Sequence, residues 1–152
     1  MVKNILIVIL IAVLILLIYQ LFLNNPPTGT VKLNIKSKNY NLETAKTVPQ
    51  QTKGLMNRTS LCSDCGMIFI FNLEMPQIFW MKNTPLPLDM IFLDHNGLVL
   101  NIVTATPQPG IPDNQLTLYR SVGNAKYVIE LNAGDSDKLS LKSGDTIDLS
   151  QI

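Results

Sequence analysis

Six residues have the types from which a small-ligand pocket is built: Arg58, Trp80, Lys82, Asn83, Asp89 and Glu130. Lys82 is flanked by Trp80, Met81 and Asn83, and an ammonium placed among such neighbours needs a carboxylate if its head is buried, because an unpaired buried charge is costly. Asp89 and Glu130 both sit in apolar runs and are the candidate partners, and Arg58 is a second cation for either. Two readings follow. In one, Trp80 is an apolar wall and the charged groups bind a small polar ligand. In the other, the same charges form a structural ion-pair network and bind nothing. A third use of the acids is chemical: Asp89 and Glu130 as the acid/base pair of a cell-envelope hydrolase or transferase, with Lys82 or Arg58 holding an anionic group.

Cys62-Ser63-Asp64-Cys65 is a C-x-x-C spacing. A local disulfide suits an oxidising compartment, whereas a redox motif of the thioredoxin kind requires a helix after the cysteines, and here Gly66 and a strand-like run follow. Free or metal-bound thiols are the remaining alternative, but a zinc site takes about four ligands, and only these cysteines and His95 are offered. No metal or cofactor is therefore expected. His95 falls in a turn, Asp94-His95-Asn96-Gly97, and reads as solvated. Met56, Met67, Met81 and Met90 lack the M-x-x-M clustering of a thioether copper site and read as core fillers.

The elements that hold these residues follow from periodicity. Val31, Leu33 and Ile35 alternate with polar residues as in a half-buried strand, and a turn at Lys38 and Asn39 leads to a second strand, Tyr40 to Ala45. Thr47 caps a helix start with Pro49 in its first turn, and Gly54 closes it. Further strands are expected at Met67 to Phe71, Ile78 to Met81, Met90 to Leu93, Leu98 to Ala105, Tyr127 to Leu131 and Thr146 to Leu149, with a helical turn at Asp135 to Leu141. In the strand reading Trp80, Lys82 and Thr84 share one face. A proline-rich loop, Thr106 to Asn114, is of the kind that borders functional surfaces. The expected fold is mainly β (α+β): a compact antiparallel β-barrel or sandwich with one or two short helices, preceded by a single transmembrane helix.

That helix is the N-terminal apolar run. Ile5 to Leu23 is a 19-residue stretch without a charged side chain. As a helix it rises about 28 Å, against a hydrocarbon core of about 30 Å. Residues 1–23 read as the anchor, 24–30 as a stalk around Pro26 and Pro27, and 31–152 as an extracytoplasmic β-rich domain. A cleaved signal peptide, giving a secreted domain, is the alternative, but the run is long and lacks small residues at its exit. Lys3 before the run and an uncharged exit after it place the domain outside. Without Lys3 the chain carries 11 basic and 11 acidic side chains, so no electrostatic footprint for nucleic acid exists.

Several blocks in order resemble a known family. They are Gly54-Leu55-Met56 with Arg58, Gly66-Met67-Ile68-Phe69-Ile70-Phe71, Phe79-Trp80-Met81-Lys82-Asn83-Thr84, Leu88-Asp89, and Tyr127-Val128-Ile129-Glu130-Leu131 with Ala133-Gly134. Together they resemble the prokaryotic domain-of-unknown-function family one hundred and ninety-two (DUF192). The resemblance implies a compact β-rich domain, often behind a signal or anchor segment, and implies no reaction. Cys62 and Cys65 depart from the family's commoner pattern, so the pair is particular to this chain. The function expected is that of a membrane-tethered extracytoplasmic domain binding a small ligand, an envelope polymer or a membrane partner.

Overall fold

The computed structural model describes residues 2–24 and 28–152. An N-terminal helix, α1 (Val2–Asn24), precedes a six-stranded sheet. Its side chains are described over 6–20, and all of these are exposed. Among the described residues no helix is long and apolar enough to cross a membrane. Asn25, Pro26 and Pro27 of the expected stalk lie outside the described residues.

The domain begins with the hairpin β1 (Gly29–Ile35) and β2 (Lys38–Ala45), turned at Lys36, whose φ is +56°. The short helix α2 (Val48–Lys53) starts as its sequence predicts. Thr47 accepts from the Gln50 N–H, and the Gln50 side chain accepts from the Thr47 N–H, a reciprocal capping box. Then come β3 (Cys65–Phe79), β4 (Leu88–Leu93), β5 (Val99–Ala105), β6 (Tyr119–Asn132) and the helical turn α3 (Asp135–Lys138). In space the strands lie in the order β1-β2-β3-β6-β4-β5.

The sheet is open and mixed, which corrects the expected antiparallel barrel or sandwich. β2 and β3 run parallel, because the connection from Ala45 to Cys65 through α2 is long enough to return the chain to the same end of the sheet. β1 and β5 remain at opposite edges. Closure is not needed to bury the centre, since irregular segments cover both faces there. β4 is buried at all six positions.

One face carries Leu33, Tyr40, Leu42, Ile68, Ile91 and Ile129, and is covered by the C-terminal segment through Leu141 and Ile147. The other carries Met67, Phe69, Met90, Phe92 and Val128, and is covered by Leu55, Met81 and Leu86 from the loops on either side of β3. Burying side chains of this size stabilises by about 1.5–3 kcal/mol each. Met67, Met81 and Met90 are core residues as expected, while Met56 lines a cavity.

Three elements differ from the sequence pattern. Met67–Phe71 and Ile78–Met81 belong to one long strand, β3, whose register against β6 shifts between Ile70 and Met75 and again between Pro76 and Ile78. Pro76 lacks the ladder N–H, so irregular pairing is the only way to keep it in a strand. The segment expected as a terminal strand makes a single bridge, Leu98 to Thr146, and otherwise serves as cover. In the Asp94–Gly97 turn only Gly97 takes positive φ, at +77°, and a Cβ there would lie 2.1 Å from the Ile147 carbonyl oxygen. The glycine is required by close approach as much as by the turn.

Candidate functional site

Glu130 lies near the C-terminal end of β6, paired with Met67 on one side and Met90 on the other, and so points to the face covered by Leu55 and Met81. It is 4% exposed. No hydrogen bond or ion pair to its carboxyl exists among the described residues. Burial without a compensating partner pushes its pKa up to about 8, so the group is mostly protonated at neutral pH.

Above Glu130 opens a cavity of about 240 Å³, walled by Phe69, Phe71, Phe79 and Trp80 and roofed by α2. The rings of Phe69 and Phe71 each meet Phe79 edge to face, at centroid distances of 4.9 and 6.2 Å. Trp80 is 42% exposed at the rim. α2 is held over the cavity by its capping box and by Gln51, whose Nε2 donates to the Ile70 carbonyl at 2.9 Å. Gly54 ends α2 with φ +45°, and a Cβ there would meet the Phe69 ring at 3.2 Å. The Gly54-Leu55-Met56 block thus lets the roof approach the aromatic wall.

Lys82 and Asn83 line a second cleft of about 380 Å³, bounded by the proline-rich loop and Leu116. Lys82 donates to Asp113 at 2.5 Å and lies 5.7 Å from the centre of the Trp80 ring. The chain has left the sheet at Trp80, so the expected strand alternation of Trp80, Lys82 and Thr84 does not hold. Asn83 is left-handed, φ +51°, and its carbonyl accepts from the N–H of Asn57, φ +62°, at 2.7 Å. Thr84 lines both the cleft and the Glu130 cavity.

The remaining candidates are elsewhere. Arg58 makes a two-pronged pair with Glu43 on β2, at 2.5 and 2.7 Å, and the guanidinium holds the Glu43 carboxyl below its ordinary range. Thr28 also donates to Glu43, at 3.0 Å. Asp89 pairs in register with Leu131, one residue along β6 from Glu130, and so faces the opposite side of the sheet. There it accepts from Thr104 Oγ1 at 2.8 Å and from the Ser136 N–H at 2.9 Å, tying β5 and α3 to β4. Asp89 and Glu130 therefore cannot act on one substrate as an acid/base pair. The six candidates divide into Trp80 with Glu130, Lys82 with Asn83, an Arg58 pair, and Asp89 alone across the sheet.

Sequence reasoning missed Glu43 and Asp113. Glu43 had one signal, an acid inside a strand pattern, but its partner is set by the parallel pairing of β2 with β3. Asp113 lies in the proline-rich loop that was itself expected to border a functional surface.

Cys62 and Cys65 form a disulfide, with Cα atoms 5.0 Å apart. Cys65 opens β3 and not a helix, and the Cys62 carbonyl accepts from Asn132 Nδ2 at 2.9 Å, so the bridge pins the start of β3 against the end of β6. Joined sulfurs offer no thiolate to a metal. His95 sits exposed in its turn with Nδ1 2.8 Å from Glu74.

The family model for DUF192, described as "Uncharacterized ACR", matches residues 30–149. The chain belongs to the DUF192 family. The DUF192 match takes in the sheet, both covering layers and every candidate residue, and leaves α1 outside. A crystal structure from Novosphingobium aromaticivorans DSM 12444, of a protein of unknown function, is similar at 30% identity and TM-score 0.69, over 84% of this chain and 96% of that one. Another, of a candidate transcription regulator from Sinorhizobium meliloti 1021, is similar at 33% identity and TM-score 0.66, over 80% and 93%. Comparison with curated proteins yields no match. DUF192 membership supports the fold and supplies no activity.

Proposed function

We propose that this chain is a membrane-tethered, extracytoplasmic binding domain, and that the Glu130 cavity takes a small ligand. The observation that carries the binding reading is Glu130 itself: a buried carboxyl with no hydrogen-bond or ion-pair partner among the described residues, at the floor of a cavity with aromatic walls. Among the described residues nothing compensates its desolvation, and a purely structural position there would be served as well by an apolar side chain. The neighbouring Lys82–Asn83 cleft shares Thr84 with it and widens the accessible surface. A nucleic-acid role, of the kind the S. meliloti protein's description names, has no support in a chain whose charges nearly cancel.

Tethering rests on the apolar run Ile5 to Leu23, and the outward placement rests on Lys3 and on the disulfide, which persists where thiols are not kept reduced. Two measurements test the reading. Glu130→Met, which replaces the orphan carboxyl by an apolar neighbour of Met67 and Met90, is expected to raise stability while abolishing ligand occupancy; a fall in stability would make Glu130 structural. Trapping thiols with alkylating reagent in intact cells is expected to find Cys62 and Cys65 joined in the membrane fraction. Free thiols, or a chain found in the soluble fraction, would end the tethered, exported reading.

A further inference from the structure

The cavity above Glu130 does not end at its aromatic wall. A second depression, of about 410 Å³, shares Val48, Gln51, Phe71 and Gln77 with it and runs outward along Leu73 and Met75. Leu73, Met75 and Val48 are exposed large apolar side chains, 71%, 50% and 74% accessible. An acidic floor thus continues directly into an apolar groove between α2 and the bulged part of β3.

From this juxtaposition we infer that the site recognises an alkylammonium, with the ammonium seated against the Glu130 carboxylate between the aromatic rings and the hydrocarbon tail laid along Val48, Leu73 and Met75. The inference rests on the binding reading above and gives it a ligand class. Aromatic rings around an ammonium are favourable through their electron-rich faces, and a desolvated carboxylate adds a charge-assisted hydrogen bond. The floor cavity, room for about eight waters at ~30 Å³ each, takes the ammonium and the first few carbons, and a longer tail continues along the groove that opens from it. Lys46 also lines the groove beside Val48, Phe71 and Leu73, so an amine linked through phosphate, as in an amino-headgroup lipid, is the competing occupant.

Binding exchanges a proton. In the empty site Glu130 holds a hydrogen on its carboxyl; when R–NH₃⁺ enters, the O–H bond breaks, the proton passes to solvent, and the carboxylate accepts from the ammonium. The only other charged side chain lining the cavity is Lys53, at the last turn of α2, which makes no ion pair among the described residues. It opposes a bound ammonium and leaves Glu130 as the one anionic side chain lining the cavity.

The test uses the full chain in lipid nanodiscs, with the Glu130→Gln chain in the same discs as the blank for partitioning into lipid. The probes are hexylammonium, butylammonium, 1-hexanol, hexanoate and phosphoethanolamine, followed by calorimetry. Hexylammonium is expected to bind at least tenfold tighter than hexanol and several-fold tighter than butylammonium, with no binding of hexanoate or phosphoethanolamine. At pH 7 close to one proton should appear per ligand bound, read from the difference between buffers of unlike ionisation heat, and affinity should rise from pH 6 to pH 8. Glu130→Gln should lose the tenfold preference and the proton release, whereas Lys53→Met should keep both.

Hexanol binding as tightly as hexylammonium would overturn the ammonium assignment while leaving the cavity a binding site. Phosphoethanolamine binding as tightly would overturn the apolar tail and assign a headgroup. Loss of the preference in Lys53→Met would show that the preference does not come from the Glu130 carboxylate and would overturn the ammonium assignment. Absence of hexylammonium binding together with absence of hexanol binding would overturn both the inference and the reading beneath it.

Discussion

Two carboxyls sit side by side in the centre of this sheet and live in opposite worlds. Asp89 and Glu130 are both nearly inaccessible, on neighbouring strands, one register position apart. Asp89 faces the C-terminal cover and is met by a threonine hydroxyl and a backbone N–H, each within 2.9 Å. Glu130 faces α2 and the loops around β3, and among the described residues no hydrogen-bonding group meets its carboxyl. Burial is the same for both; partnership is not. The first carboxyl fastens elements together, and the second holds chemistry in reserve, so accessibility alone does not separate a structural acid from a functional one.

Substitution should make that contrast quantitative. Asp89→Ala leaves the Ser136 N–H and the Thr104 hydroxyl without their acceptor, and is expected to lower unfolding free energy by about 3 kcal/mol, read from the denaturant midpoint at unchanged slope. An effect below that of Lys82→Met would show that Asp89 is not the fastening its hydrogen bonds describe. Arg58→Met strands Glu43 in a half-buried site and should cost about 1–2 kcal/mol by the same assay. Glu130→Met should go the other way, raising stability by about 1 kcal/mol at pH 7. Lys82→Met removes an exposed pair to Asp113 and should change stability by less than about 0.5 kcal/mol.

The pH dependence separates the same two faces. Glu130 is a carboxyl whose pKa rises on folding, from 4.5 to about 8. Between those values the native state binds the proton that the unfolded chain has lost, so this group's contribution is full at low pH and falls as pH rises towards 8. Asp135, on the other face, is pushed up by burial but held low overall by hydrogen bonds from Lys138 and Tyr40 and by the charge of Lys38; Glu43 is held low by Arg58. Their contributions are present above the ordinary carboxylate range and are lost as pH falls through their lowered pKa values. Stability of the native chain should therefore decline from pH 5 to pH 8 relative to Glu130→Gln, in thermal unfolding at matched ionic strength. Parallel curves would mean that Glu130 is already ionised or has found a partner.

Much of the fold is legible in the residues. Val31, Leu33 and Ile35 declare β1 by alternation, and Thr47 with Pro49 declares the start of α2. The faces of the central strands are not legible, because β4 is apolar at five of its six positions and carries no alternation to read. Which way Asp89 and Glu130 point is fixed by pairing across strands, Met90 with Glu130 and Leu131 with Asp89, and pairing is a long-range choice. Trp80 and Lys82 misled for a local reason: the chain leaves the sheet after Phe79 and turns left-handed at Asn83, so period two ceases to apply. The open sheet was hidden too, since strand order is not written in any single segment.

The C-terminal cover has a consequence for the order of events at synthesis. Leu139, Leu141, Ile147 and Leu149 close the face that carries Asp89, yet they follow every strand in the sequence. A growing chain therefore displays all six strands before it possesses the lid for one side of them. During that interval half of the sheet is a greasy plate bordered by two unpaired edges, the condition in which nascent chains stick to one another. Whatever delays the segment from Leu139 to Leu149, at the ribosome or in a translocation channel, lengthens the time this domain spends needing a chaperone.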